Sequence, residues 1–152
     1  MKNIGEITLN GKIIITDPCY KPDIWCTVKT ELPKARYDCK VLTVNKRNAS
    51  LIVMKKSFKN KGISYKYIGS AGVDSGQLGI FDLDYFTKHQ PDDDWKNEKS
   101  WYRKVSEATI SPGYTLTDKA GVCSSTYCGD GMYPVYEILN DGKVIGIRVN
   151  FI

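Results

Sequence analysis

Asn10-Gly11 lies between Glu6-Ile7-Thr8-Leu9 and Lys12-Ile13-Ile14-Ile15-Thr16. Asn-Gly between β-branched runs is the strongest short-range hairpin signal, because both residues accept positive φ. A hairpin is therefore expected over residues 6–16. A second is expected at the end of the sequence, with Tyr133 to Leu139 running up, Asn140-Asp141-Gly142 turning, and Lys143 to Ile152 returning. In that last strand the period of two places Ile145, Ile147, Val149 and Phe151 on one face, with Gly146, Arg148 and Asn150 on the other. A third pair is expected between Tyr37 to Val44 and Ser50 to Lys55, turned by Asn45-Lys46-Arg47-Asn48. Tyr67-Ile68 and Leu78 to Phe81 read as further short strands.

Helical signals are few. Asp82 is placed to cap a short turn carrying Tyr85 and Phe86. From Trp95 to Ala108, the spacing of Trp101, Tyr102 and Val105 forms one apolar helical stripe. Asp92, Asp93 and Asp94 precede it, where negative charge suits a helix N-terminus. The fold class expected is mainly β, α+β at most: a compact antiparallel β-sandwich or barrel-like sheet with one or two short helices. A length of 152 residues fits one domain.

Hydrophobic residues make up 41% and charged residues 26%, which argues against disorder. No run approaches the ~18 apolar residues of a membrane span. Met1 to Glu6 lacks the apolar core of a signal peptide, so a cytoplasmic location without membrane association is expected. The five cysteines are Cys19, Cys26, Cys39, Cys123 and Cys128. An odd count without an export signal points to reduced thiols, with Cys39 as a small buried hydrophobe in an alternating strand. Zinc held by Cys19/Cys26 and Cys123/Cys128 is the competing reading, at spacings wider than the usual knuckle. The net charge of +5 gathers at Lys55, Lys56, Lys59, Lys61 and Lys66. That run reads as a solvated loop or edge strand, since no nucleic-acid motif accompanies it.

Three motifs are candidates for chemistry. Asp17-Pro18-Cys19-Tyr20 follows a strand that proline must end, which leaves the Asp17 carboxylate either in a site or in an Asx-type turn. Gly72-Val73-Asp74-Ser75-Gly76-Gln77 has glycines that permit sharp turning, and its successive amides can form an anion-binding nest. It is neither a Walker loop nor a nucleophile elbow. Gly121 to Gly131 is dense in hydroxyls and glycines, with Tyr127 and Tyr133 beside them, as in a small-ligand pocket.

Catalysis has less support. The single histidine, His89, lies in a charged stretch remote in sequence from every motif. A Cys-His nucleophile at Cys19 or Cys123 has no further support. Asp17, Asp74 and Asp130 would hold a divalent ion for hydrolysis if they converged.

These motifs, in this order, resemble an uncharacterised family of small bacterial and bacteriophage proteins of the DUF4241 type. The resemblance rests on Asp17 to Tyr20, Trp25-Cys26, Gly72 to Gln77 with Gly79-Ile80-Phe81-Asp82 after it, Trp101-Tyr102, and Ser124 to Gly131 before a closing hairpin. Cys128 departs from the pattern, standing where a small or glycine residue is expected. The resemblance implies a phage or mobile-element setting and no assigned activity.

The function expected is a non-enzymatic binding module, without cofactor, for a polar or anionic small molecule. In a phage setting this would be a nucleotide-derived immune signal that the protein sequesters. Its site would comprise Asp17, Tyr20, Asp74, Ser75, Gly76, Gln77, Ser124, Ser125, Tyr127, Asp130 and Tyr133. Amides at Gly72 and Gly76 and hydroxyls at Ser75, Ser124 and Ser125 would take phosphates, with Tyr127 or Tyr133 stacking on a base. The alternatives are a metal-dependent phosphoesterase using the aspartates and a protein-interaction module using sheet edges and the lysine-rich loop.

Overall fold

The computed structural model describes residues 1–24, 26–89 and 96–152. The larger of two sheets has six strands in the order β1 (Lys2–Leu9), β4 (Ala35–Val44), β5 (Arg47–Lys55), β11 (Lys143–Asn150), β10 (Gly131–Asn140) and β6 (Ile63–Val73). The smaller has five, in the order β3 (Val28–Glu31), β2 (Lys12–Thr16), β7 (Gln77–Asp82), β9 (Gly121–Ser125) and β8 (Tyr114–Thr117). Two helices, α1 (Leu83–Lys88) and α2 (Trp101–Ile110), complete the described residues. Every strand pair is antiparallel. Neither sheet closes on itself, so the mainly-β expectation resolves to a sandwich and not a barrel.

The smaller sheet is covered on both faces. Ile13, Ile15, Leu78, Ile80 and Val122 pack against the larger sheet. On the other face, Ile14, Phe81 and Cys123 pack under Phe86, Trp101 and Val105 of the helices. This explains two runs that defy half-buried alternation, Ile13-Ile14-Ile15 and the wholly buried Gln77–Asp82. A strand between two apolar layers needs apolar residues on both faces, and each aliphatic side chain fully buried there contributes about 1.5–3 kcal/mol. Gly79 and Gly121 are small because the Phe81 ring lies across both, and a Cβ at either would collide with it.

The Asn10-Gly11 hairpin is not formed. β1 pairs with β4 in one sheet, and β2 pairs with β3 and β7 in the other. Gly11 has φ +123°, but Asn10 does not take positive φ, and a two-residue type I′ turn requires it at both positions. The pair is a corner that carries the chain between sheets, so that Ile7 and Leu9 meet Ile13 and Ile15 across one core. The Asn10 amide donates to Asp82 Oδ2 (3.0 Å), and the Leu32 amide donates to the Gly11 carbonyl (2.8 Å).

The other two hairpins form. Asp141 and Gly142 take φ +49° and +75° between the paired residues Asn140 and Lys143. The first turn is tighter than expected. Asn45 and Lys46 alone form it, at φ +48° and +65°, and Arg47 and Asn48 already belong to β5. Ile145 does not join the Ile147, Val149 and Phe151 face. The β10–β11 register shifts next to it, and it packs with Ile52 and Ile138 in a separate cluster.

Asp82 caps α1, its carboxylate accepting from the Tyr85 amide at 3.2 Å. α2 starts at Trp101, later than the expected Trp95, because Ser100 supplies the cap to the Arg103 amide. The expected role of Asp92, Asp93 and Asp94 lies outside the described residues. Lys59, Lys61 and Lys66 are exposed, on the β5–β6 loop and on edge strand β6. No helix among the described residues is long and apolar enough to cross a membrane.

Candidate functional site

The site is built where β2 ends. Pro18 closes that strand, and the Asp17 carboxylate beside it is fully buried. Oδ1 accepts from the Cys19 amide (2.9 Å) and the Ser75 hydroxyl (2.7 Å). Oδ2 accepts from the amides of Asp74 (2.9 Å) and Ser75 (2.8 Å). The bond to Cys19 is the Asx-type turn. The other three show that the Asp74 loop does form an anion nest, and that its anion is the protein's own Asp17. A buried carboxylate needs such donors to be tolerated. Asp17 therefore clasps two loops and has no lone pair left for a ligand.

The third motif joins the same centre. The Gly76 amide donates to Asp130 Oδ1 (3.0 Å), and the Gly76 carbonyl accepts from the Thr126 amide (3.0 Å). Gln77 and Leu78 pair with Ser125 and Ser124 across β7 and β9. The three motifs thus meet, but much of their hydrogen-bonding capacity holds the scaffold together. The Gly72 amide donates to the Cys26 carbonyl (2.8 Å), so neither expected glycine amide is open to phosphate. Ser124 is buried, accepting from Asn48 Nδ2 (2.9 Å) and donating to the Ser125 carbonyl (2.8 Å). Tyr133 lies in the core, its ring 5.3 Å from that of Phe151 and its hydroxyl donating to the Gly129 carbonyl (2.7 Å). It has no face open for stacking on a base.

The remaining expected residues separate into two clefts. Gly76, Ser125 and Tyr127 line one on the side of the β4–β5 turn. Tyr20, Asp74, Ser75 and Gln77 line the other, a cleft of about 400 Å³ closed by Tyr102 and Ser106 of α2. The indole Nε1 of Trp101 donates to the Pro18 carbonyl (2.7 Å), which fixes α2 against the Asp17 turn. Tyr102 and Ser106 stand four residues apart on one side of the helix. That spacing was legible, but nothing in the sequence connected it to the Asp17 turn.

Tyr20 donates its hydroxyl to Asp74 Oδ2 at 2.6 Å. This bond, with burial and the Asp74 charge behind it, pushes the phenol up to about 12. Gln77 is 1% exposed and donates its Nε2 to Cys19 Sγ (3.3 Å). Its Oε1 is buried and finds no partner among the described residues. Burial pushes the Cys19 thiol above its ordinary value. The sulfur is therefore a protonated packing atom, the opposite of what a thiolate nucleophile needs. Among the described residues no three His, Cys, Asp or Glu side chains come together to hold a metal ion. Of the expected zinc pairs, Cys19 and Cys123 are buried, and Cys26 and Cys128 exposed.

The lining is therefore rich in acceptors. Asp74 stands on the wall, Asp17 lies behind it, and among the described residues no lysine or arginine lines the cleft. Such an arrangement can receive hydrogen-bond donors. No family model, curated protein or solved structure matches the chain significantly.

Proposed function

We propose that the protein is a non-enzymatic binding module that holds a small polar molecule in the cleft between the Asp17 turn, the Asp74 loop and α2. The observation that carries this reading is Gln77, a lining residue of the cleft whose buried Oε1 has no partner among the described residues. Buried polar atoms are nearly always paired, and leaving one unpaired costs about 1–3 kcal/mol. A ligand N–H or O–H would supply the missing bond, and Asp74 would accept a second.

The charge of the lining sets the ligand class. With Asp74 on the wall, Asp17 behind it and no cation lining it among the described residues, the cleft favours an uncharged or cationic donor, such as an amide, an amine or a polyol. This is the opposite sign from the ligand expected from the loop's amides, because Asp17 already occupies the nest. The phosphoesterase alternative needs Asp17, Asp74 and Asp130 to share an ion, and they do not cluster that way. Asp17 binds amides, and Asp130 binds the Gly76 amide on the side of the other cleft.

The test is a thermal-shift screen of the purified protein against amides, amines, polyols, nucleosides and divalent ions. A ligand at ~100 times its dissociation constant adds about 2.7 kcal/mol of stability. The expected hit carries hydrogen-bond donors, is indifferent to chelator, and loses its shift in Gln77→Met. A hit unchanged by that substitution would place the ligand elsewhere.

A further inference from the structure

The second cleft has the opposite chemistry. Its volume is about 490 Å³, within the range of small-molecule sites. One lip is the β4–β5 turn with Lys46 and Arg47, and the other is the Tyr127 to Gly129 loop. Arg47 is held in place by that loop. Its Nη1 donates to the Tyr127 carbonyl (3.4 Å), and its guanidinium carbon sits 5.7 Å from the centre of the Tyr127 ring. Among the described residues no carboxylate pairs with Lys46 or Arg47.

Backbone donors point the same way. Gly129 takes φ +84°, and no protein acceptor meets the amides of Cys128 and Gly129 among the described residues. Two amides without an acceptor and two cations without a carboxylate partner among the described residues favour an anion here, and the neighbouring carboxylate, Asp130, bonds the Gly76 amide instead of these donors. The opposite wall is apolar. Ile110, at the end of α2, is 87% exposed and lines the cleft with Pro112. An isoleucine this bare beside a cationic lip suits a ligand with an anionic end and a flat apolar body.

We propose that this cleft is a second binding site, for a small organic phosphate with a planar body, of which a nucleoside monophosphate is the simplest example. The phosphate would sit between Lys46, Arg47 and the Cys128 and Gly129 amides. The planar group would lie on Ile110 and Pro112. Gly76 and Ser125 form the floor. The proposal is independent of the Tyr20–Asp74 cleft and uses none of its residues.

The experiment is amide-detected NMR of the labelled protein titrated separately with adenosine monophosphate, adenosine and inorganic phosphate. Adenosine monophosphate is expected to move the Cys128 and Gly129 amide signals at millimolar concentration or below. Adenosine, which lacks the charge-assisted contacts, and phosphate, which lacks the apolar contact with Ile110 and Pro112, should each bind at least about tenfold more weakly. Lys46→Ala with Arg47→Ala should weaken adenosine monophosphate about tenfold or more and leave signals around Gln77 unmoved. Ile110→Ser should weaken adenosine monophosphate but not phosphate. Gln77→Met should change neither, which separates this site from the first. Shifts centred on Tyr20 and Gln77, binding indifferent to the Lys46/Arg47 double substitution, or no shift with adenosine monophosphate would each overturn the proposal.

Discussion

Gln77→Met keeps a side chain of similar length at a position 1% exposed and removes the amide whose Oε1 has no protein partner. Two terms decide the outcome. Deleting an unpaired buried acceptor recovers about 1–3 kcal/mol. The Nε2 bond to Cys19 Sγ, at 3.3 Å, is lost. A neutral hydrogen bond contributes about 0.5–1.5 kcal/mol, and sulfur is a weak acceptor, so this loss lies at the low end. The first term wins, and the ligand-free variant should be more stable by about 1 kcal/mol. For a chain of this size that raises Tm by roughly 2–4 °C. Urea unfolding followed by circular dichroism would show the midpoint rise without a change in slope. The same substitution should abolish ligand stabilisation, so that stability and binding move in opposite directions. A variant destabilised by about 1 kcal/mol or more would refute the reasoning, since it would mean that Oε1 is already satisfied inside the folded protein.

Three further outcomes follow from the geometry. Asp17→Ala removes the acceptor of three backbone amides and the Ser75 hydroxyl, and should cost at least about 3 kcal/mol by urea unfolding. Asp17→Asn should recover little of that cost, because one end of its amide donates toward donors. Tyr20, held at about 12 by its bond to Asp74, should ionise above the ordinary tyrosine range in the ultraviolet difference spectrum between the protein and Tyr20→Phe, and Asp74→Asn should lower that midpoint. The folded pKa is raised, so the Tyr20–Asp74 contribution to stability is complete below about pH 10 and is lost as pH rises toward about 12. Gly121→Ala drives a Cβ into the Phe81 ring and should cost about 1–3 kcal/mol. Adding Phe81→Leu should recover part of that loss, a coupling readable in a double-mutant cycle.

The period of two and the turn residues made most strands legible, as did the Asp82 cap of α1. The failures share a cause, because local signals do not report which partner a strand takes. Asn10-Gly11 has hairpin chemistry, yet the apolar faces of β1 and β2 each find a different sheet. The Ile145 displacement comes from a bulge that one strand's alternation cannot show. For the candidate site, motif density singled out three segments, and hydrogen bonds join them through the Asp74 to Gly76 loop. Residue type alone could not show which groups stay open. Asp17, Ser124 and Tyr133 have the chemistry of ligand contacts, but burial turns them into scaffold. Lys46 and Arg47 entered only as turn residues, because nothing in the sequence brings the β4–β5 turn beside Tyr127.

The corner at Asn10-Gly11 also bears on how the protein folds. β1 belongs to the larger sheet, β2 and β3 to the smaller, β4 to β6 to the larger, β7 to β9 to the smaller, and β10 and β11 to the larger again. Neither sheet is built from consecutive strands alone. The smaller sheet exists only once β2 pairs with β7, joining Ile13 to Asp82 across nearly half of the chain. Closing such distant pairs loses chain entropy before burial repays it, so folding should run in the slow range of two-state domains. Cleavage in the β5–β6 loop should leave two fragments that are each unstructured alone and regain structure only when mixed.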